Sequence, residues 1–122
     1  MEWEKASAEL GMELSHLLAG FNCQKKSMFG SPCYFVNGNM FTGVKGGIVF
    51  LRLSEDGRKA IMLESDEIQP FEPRPGFFMK EYVEIPDNKI TDQEFITRWL
   101  NQSYDFVRVL TPKVKKAKHE KH

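Results

Sequence analysis

The stretch Cys33-Tyr34-Phe35-Val36-Asn37-Gly38-Asn39-Met40-Phe41-Thr42 decides the fold. Short apolar and aromatic runs flank Asn37-Gly38, and both of those residues tolerate the positive φ that a type I′ turn demands. The reading is a β-hairpin. Val44 and the turn Lys45-Gly46-Gly47 lead into Ile48-Val49-Phe50-Leu51-Arg52-Leu53, a third strand, so the centre of the chain is a three-stranded antiparallel meander. The five glycines from Gly30 to Gly47 are followed by no Gly-Lys-Ser/Thr, so they read as turns and not as a phosphate cradle.

Helices surround this meander. Trp3, Ala6, Leu10, Leu14, Leu17 and Leu18 recur at three- and four-residue steps, the period of one helix face. Glu2 and Glu4 suit the positive end of that helix dipole, and Gly20 is the expected left-handed cap. Ser54 is placed to cap a second helix over about residues 55–64, with Glu55 and Asp56 in its first turn. Pro70, Pro73, Pro75 and Gly76 then force an extended or looped connection. A fourth strand is expected from Phe77 to Ile85, stopped by Pro86. Thr91-Asp92-Gln93-Glu94 reads as a capping box opening a last helix, whose apolar stripe is Phe95, Ile96, Trp99, Leu100 and Val107. The expected fold class is therefore α+β, with element order α-β-β-β-α-β(-β)-α and the helices packed on one face of an antiparallel sheet. One domain is expected over residues 1–111, and a disordered basic tail over 112–122.

The composition excludes several function classes. A chain of 122 residues with 41% apolar side chains, including ten Phe, can fill one core. No apolar run approaches the ~18 residues that span a bilayer, and the start, Met1-Glu2-Trp3-Glu4-Lys5, does not read as a signal peptide. The cytoplasm is the expected compartment. Residues 1–112 hold 12 basic and 16 acidic side chains, net −4, whereas residues 113–122 hold five lysines against Glu120, net +4. An acidic body repels phosphate, which makes nucleic acid the lesser of the expected partners. Cys23 and Cys33, ten positions apart, match no metal-binding or disulfide pattern and read as reduced, packed thiols.

No catalytic constellation is legible. His16 stands alone on the first helix, His119 and His122 lie in the lysine-rich end, and no cysteine or serine has a recognisable base partner. No cofactor or metal is expected. Strand alternation instead points to a surface. Val49, Leu51 and Leu53 share one side of the third strand, while Ile48, Phe50 and Arg52 share the other. In the fourth strand, Phe78, Lys80 and Tyr82 fall on that second side. If the helices lie on the first side, Phe50, Phe78 and Tyr82, framed by Arg52 and Lys80, form an uncovered aromatic face. Such a face could take a protein partner, pair two-fold with a second copy, or stack bases. The other reading is that the Phe71 segment covers it.

Lys26-Ser27-Met28-Phe29-Gly30, Asn37-Gly38-Asn39-Met40-Phe41, Met79-Lys80-Glu81-Tyr82-Val83-Glu84-Ile85-Pro86 and Trp99 together resemble the TfoX/Sxy N-terminal domain family over roughly residues 7–108. The resemblance implies a secretion-chaperone-like α+β architecture. It also implies kinship with bacterial regulators of DNA-uptake competence that act with a cyclic-AMP receptor protein at promoters. Where the family usually continues with Gly-x-Gly, this chain has Ser31-Pro32-Cys33, and the regulators' separate C-terminal domain is not in this sequence. The expected function is thus a non-catalytic regulatory or adaptor domain acting through protein contacts. Lys25, Lys26 and Phe29 add to the candidate contact residues Phe50, Arg52, Phe78, Lys80 and Tyr82. The alternatives are a nucleic-acid-binding accessory protein and a small enzyme whose residues converge from distant segments.

Overall fold

The central hairpin forms at Asn37-Gly38, whose φ angles of 51° and 82° are those of a type I′ turn. The computed structural model describes residues 7–28 and 30–113. In chain order the elements are α1 (Ala8–Leu17), β1 (Gln24–Met28), β2 (Ser31–Val36), β3 (Asn39–Lys45), β4 (Ile48–Arg52), α2 (Glu55–Glu64), β5 (Gln69–Pro70), β6 (Tyr82–Pro86), α3 (Asp87–Ile90) and α4 (Gln93–Arg108). The strands form one antiparallel sheet in the order β1-β2-β3-β4-β6-β5. The fold is α+β, as expected.

Alternation along the central strands divides the interior in two. Tyr34, Val36, Phe41, Val44, Val49, Leu51, Val83 and Ile85 point to the helix side, where they meet Leu10, Leu14, Ile61, Ile96, Trp99 and Leu100. Burying such a Leu or Ile completely contributes about 1.5–3 kcal/mol over leaving it in water. On the opposite side Cys33, Phe50 and Tyr82 meet Phe71. Phe41 reaches the helix side because the β2–β3 register slips between Tyr34 and Phe35, making Phe41 the extra residue of a bulge. Its ring centroid lies 6.5 Å from that of Phe21 and 6.0 Å from that of Tyr104.

Local chemistry sets the helix ends. The Ser54 hydroxyl accepts from Gly57 N at 3.1 Å, so α2 starts where the sequence places it. For α4 the cap is Asp92, accepting from Phe95 N at 3.2 Å, one residue beyond the expected Thr91. Thr91 instead ends α3, and its hydroxyl donates to Asn88 O. The first helix starts at Ala8 under a Ser7 cap; the part expected over Trp3–Ala6, with Glu2 and Glu4, lies outside the described residues. It ends at Leu18 with φ −94°, and Gly20 is not among the glycines of positive φ, so no left-handed cap forms there.

Two further expectations are corrected. The fourth strand does not run from Phe77: only Tyr82–Pro86 pairs with β4, because Glu81 has φ 76° and turns the chain out of the extended conformation. Lys113 falls in the expected tail, yet its N–H donates to Asn37 O at 2.8 Å, and Thr111 O accepts from Asn39 Nδ2 at 3.0 Å. The chain leaving α4 is therefore fastened to the β2–β3 turn. The rest of the expected tail, from position 114 on, lies outside the described residues.

Candidate functional site

The structure separates the residues that strand alternation had grouped. Phe50 is fully buried and Tyr82 is 7% exposed, because the segment following β5 folds across them. Phe71 stacks on Phe50 with centroids 4.8 Å apart, and the Tyr82 ring stands edge-on to Phe50 at 6.0 Å. Burial pushes the Tyr82 hydroxyl up to about 12, and that hydroxyl donates to Met40 O at 2.9 Å. Arg52 lies over the Tyr82 ring at 5.7 Å and is paired with Glu81 at 2.9 Å. The expected uncovered face is thus a second, small core, and a base-stacking platform or a two-fold contact built on Phe50 and Tyr82 has no surface there. Phe78 and Lys80 stay exposed, on a loop and not on the sheet. Phe29 lies outside the described residues.

That loop presents two adjacent aromatic rings to water. Arg74 and Phe77 close a turn by Phe77 N donating to Arg74 O at 3.0 Å. Pro75 and Gly76 occupy its centre, and Gly76 has φ 81°, the requirement of a type II turn. Phe77 is 47% and Phe78 55% exposed. The Arg74 guanidinium lies 5.1 Å from the Phe77 ring centroid. The base of the loop is held on both sides. Phe71 N donates to Tyr82 O at 3.0 Å and Met79 N to Phe71 O at 3.0 Å, while Gly76 N donates to the Glu72 carboxylate at 2.7 Å. Phe77 is a contact candidate that alternation had placed on the opposite side of a strand.

A second surface lies at the far edge of the sheet. All five residues of β1 are exposed, and among the described residues β1 pairs with β2 alone. Register places Lys25 opposite Tyr34 on the helix side and Lys26 opposite Cys33 on the other side, where its ammonium lies 5.0 Å from the Phe35 ring centroid. Between β1 and α1 runs a groove of about 500 Å³ whose lining includes Gly11, Met12, Ser27 and Pro32. Among the described residues its ionisable lining is His16 and Lys25, with no carboxylate. Glu9 and Glu13 line a different depression, towards α3.

The thiols are poorly suited to nucleophilic work. Burial pushes Cys33 up to about 11 and raises Cys23 as well, so both are protonated at neutral pH. Among the described residues, no group of three His, Cys, Asp or Glu side chains could hold a metal ion. No described helix is long and apolar enough to cross a membrane.

A family model, the TfoX N-terminal domain, matches residues 16–107, three quarters of the chain. The chain belongs to the TfoX N-terminal domain family. No curated protein and no solved structure matched it. The family match begins at His16 and so takes in the aromatic tip and β1. In this TfoX N-terminal domain the residues Ala8–Ser15, which form one wall of the groove, lie outside the matched segment. Of the sequence motifs that carried the resemblance, Met40, Tyr82, Val83, Ile85 and Trp99 all pack into one or other core.

Proposed function

We propose that this TfoX N-terminal domain is a non-catalytic regulatory adaptor that works through protein contacts. The observation that supports this reading is the tip formed by Phe77 and Phe78. Two neighbouring aromatic side chains, 47% and 55% exposed, stand on a turn whose base is fixed by backbone hydrogen bonds and by the Phe71–Phe50 stack. A loop that turns Phe71 and Met79 inward has no packing need to leave Phe77 and Phe78 in water. Aromatic rings held rigidly at low entropic cost are the usual anchors of protein interfaces. Arg74, over the Phe77 ring, and Lys80, exposed on the same loop, favour a partner with an apolar pocket and an acidic rim. The acidic body, net −4 over residues 1–112, disfavours phosphate backbones as the main target.

The test compares the wild-type chain with Phe77→Ser/Phe78→Ser as immobilised bait in native lysate. Proteins retained by the wild type and lost with the double variant, whose melting temperature should match the wild type, support the reading. Equal retention by both baits, or turnover of a metabolite by the purified domain, refutes it.

A further inference from the structure

The β1 edge and the groove beside it are distinct from the aromatic tip. We propose that β1 is an acceptor for an extended acidic peptide, which adds as a further strand and seats an apolar side chain in the groove. The inference rests on the reading of this chain as a protein-contact domain, but not on Phe77 or Phe78.

A strand that pairs on one side only presents a row of backbone N–H and C=O groups to any chain that can lie beside it. In β1 that row spans Gln24–Met28. The side chains decide what chain fits. A strand laid beside β1 places its residues directly opposite those of β1, on alternating faces. Opposite Lys26 it meets an ammonium on the face of Phe35, and opposite Lys25 an ammonium on the helix face, beside the groove. Opposite Ser27, also on the helix face, it meets a short side chain and the groove floor of Gly11, Met12 and Pro32. Three consecutive positions of the incoming strand are thereby specified: a large apolar residue, then two carboxylates.

A second copy of this chain fits poorly. The antiparallel register that pairs all five residues of β1 with themselves sets Lys26 against Lys26, and like charges directly opposite are unfavourable. The same lysines that discourage self-pairing attract an acidic strand. Among the described residues no carboxylate lines the groove to oppose it.

The probe is a fluorescein-labelled peptide, Ser-Thr-Val-Leu-Glu-Glu-Val-Thr-Ser, titrated with the full 122-residue chain and read by anisotropy. Three control peptides are used. One carries Lys-Lys in place of Glu-Glu; in the other two, alternate amides are N-methylated along one edge or along the opposite edge. Saturable binding of the probe is expected at submillimolar concentration, together with loss of binding when one edge of the peptide is methylated, retention when the opposite edge is methylated, and loss when its charge is reversed. Lys25→Glu/Lys26→Glu should weaken the probe by about tenfold or more, and Met12→Glu should also weaken it. Because β1 is exposed throughout and Met12 is 63% exposed, both variants are expected to melt with the wild type.

Equal binding of the methylated peptides overturns strand addition and leaves only charge attraction. No binding of the probe at all overturns the proposal. A wild-type chain that sediments as a dimer and leaves the probe unbound assigns the edge to a second copy. Binding that appears only after removal of residues 1–6 assigns it to the chain's own start. Any of these results, alongside lysate capture that still depends on Phe77 and Phe78, sinks the edge proposal and leaves the adaptor reading standing.

Discussion

The ring of Phe71 lies stacked on that of Phe50, their planes 16° apart and their centroids 4.8 Å apart. Phe71 is 1% exposed and Phe50 0%, so each ring removes the other from water. This contact turns what alternation reads as a bare sheet face into a second core, and it sets the base from which the Phe77–Phe78 tip projects.

Removing the Phe71 ring should therefore do two things. Phe71→Ala is expected to cost about 3–5 kcal/mol, the range for large aromatic truncations in cores. It should also uncover Phe50 and Tyr82, read as increased binding of a hydrophobic dye by the folded protein. Urea unfolding checks the first; a loss below about 1 kcal/mol shows that the loop is not held by this ring.

Trp99 joins α4 to α2 as well as filling the core. It is 4% exposed, and its Nε1 donates to the Glu64 carboxylate at 3.2 Å, which also accepts from Arg98 at 2.9 and 2.8 Å. Trp99→Ala is expected to cost about 3–5 kcal/mol by urea unfolding.

The Glu64 contacts give a pH dependence of known sign. The Arg98 hydrogen bonds, with smaller help from Trp99, hold the Glu64 carboxyl below its ordinary 4.5. The folded state thus favours the carboxylate: the contribution is complete above the unfolded value and is lost as pH falls through the folded one. The effect is small because the pair is exposed. Stability measured from pH 6 down to about pH 3 should fall more steeply in wild type than in Glu64→Gln; parallel curves remove Glu64 from the acid response.

The chain end beyond α4 offers a graded truncation. Ending the chain after Lys113 removes no described contact, and its melting temperature should match that of the full chain. Ending it after Leu110 deletes the bonds to Asn37 and Asn39 and should cost about 0.5–1.5 kcal/mol for each. Gly38→Ala should destabilise the full chain because Gly38 has φ 82° and a Cβ there collides with the Lys113 carbonyl. In the shorter chain only the cost of the left-handed conformation, about 1 kcal/mol, should remain. Identical losses in the two chains would show that Lys113 does not press on the turn.

Thiol labelling separates the cysteines. Cys33 is 1% exposed and pushed up to about 11, whereas Cys23 is half-buried and raised less. Iodoacetamide at pH 8, followed by peptide mass analysis, should modify Cys23 first and Cys33 only on unfolding. Rapid labelling of Cys33 in the folded chain contradicts this.

Features whose physics is local were legible from the residues alone. Asn37-Gly38 makes its turn because those two residues accept positive φ, Ser54 starts α2 because its hydroxyl reaches Gly57 N, and the Phe95–Trp99–Val107 stripe faces inward because helical period places it so. The family was legible too, since its motifs are core and turn residues in a fixed order. Tertiary structure alone decided the surfaces. β1 reads Gln24-Lys25-Lys26-Ser27-Met28, with no apolar alternation, because an edge strand exposed throughout buries nothing that would impose a period; only its pairing with β2 reveals it. The fourth strand is cut short at Tyr82 by the turn at Glu81, whose backbone is fastened to Leu53 N and whose carboxylate is paired with Arg52, partners far away in sequence. Which aromatics meet water was likewise settled by packing between distant segments: Phe71, twenty-one positions from Phe50, takes the sheet face, and Phe77 and Phe78 are left outside.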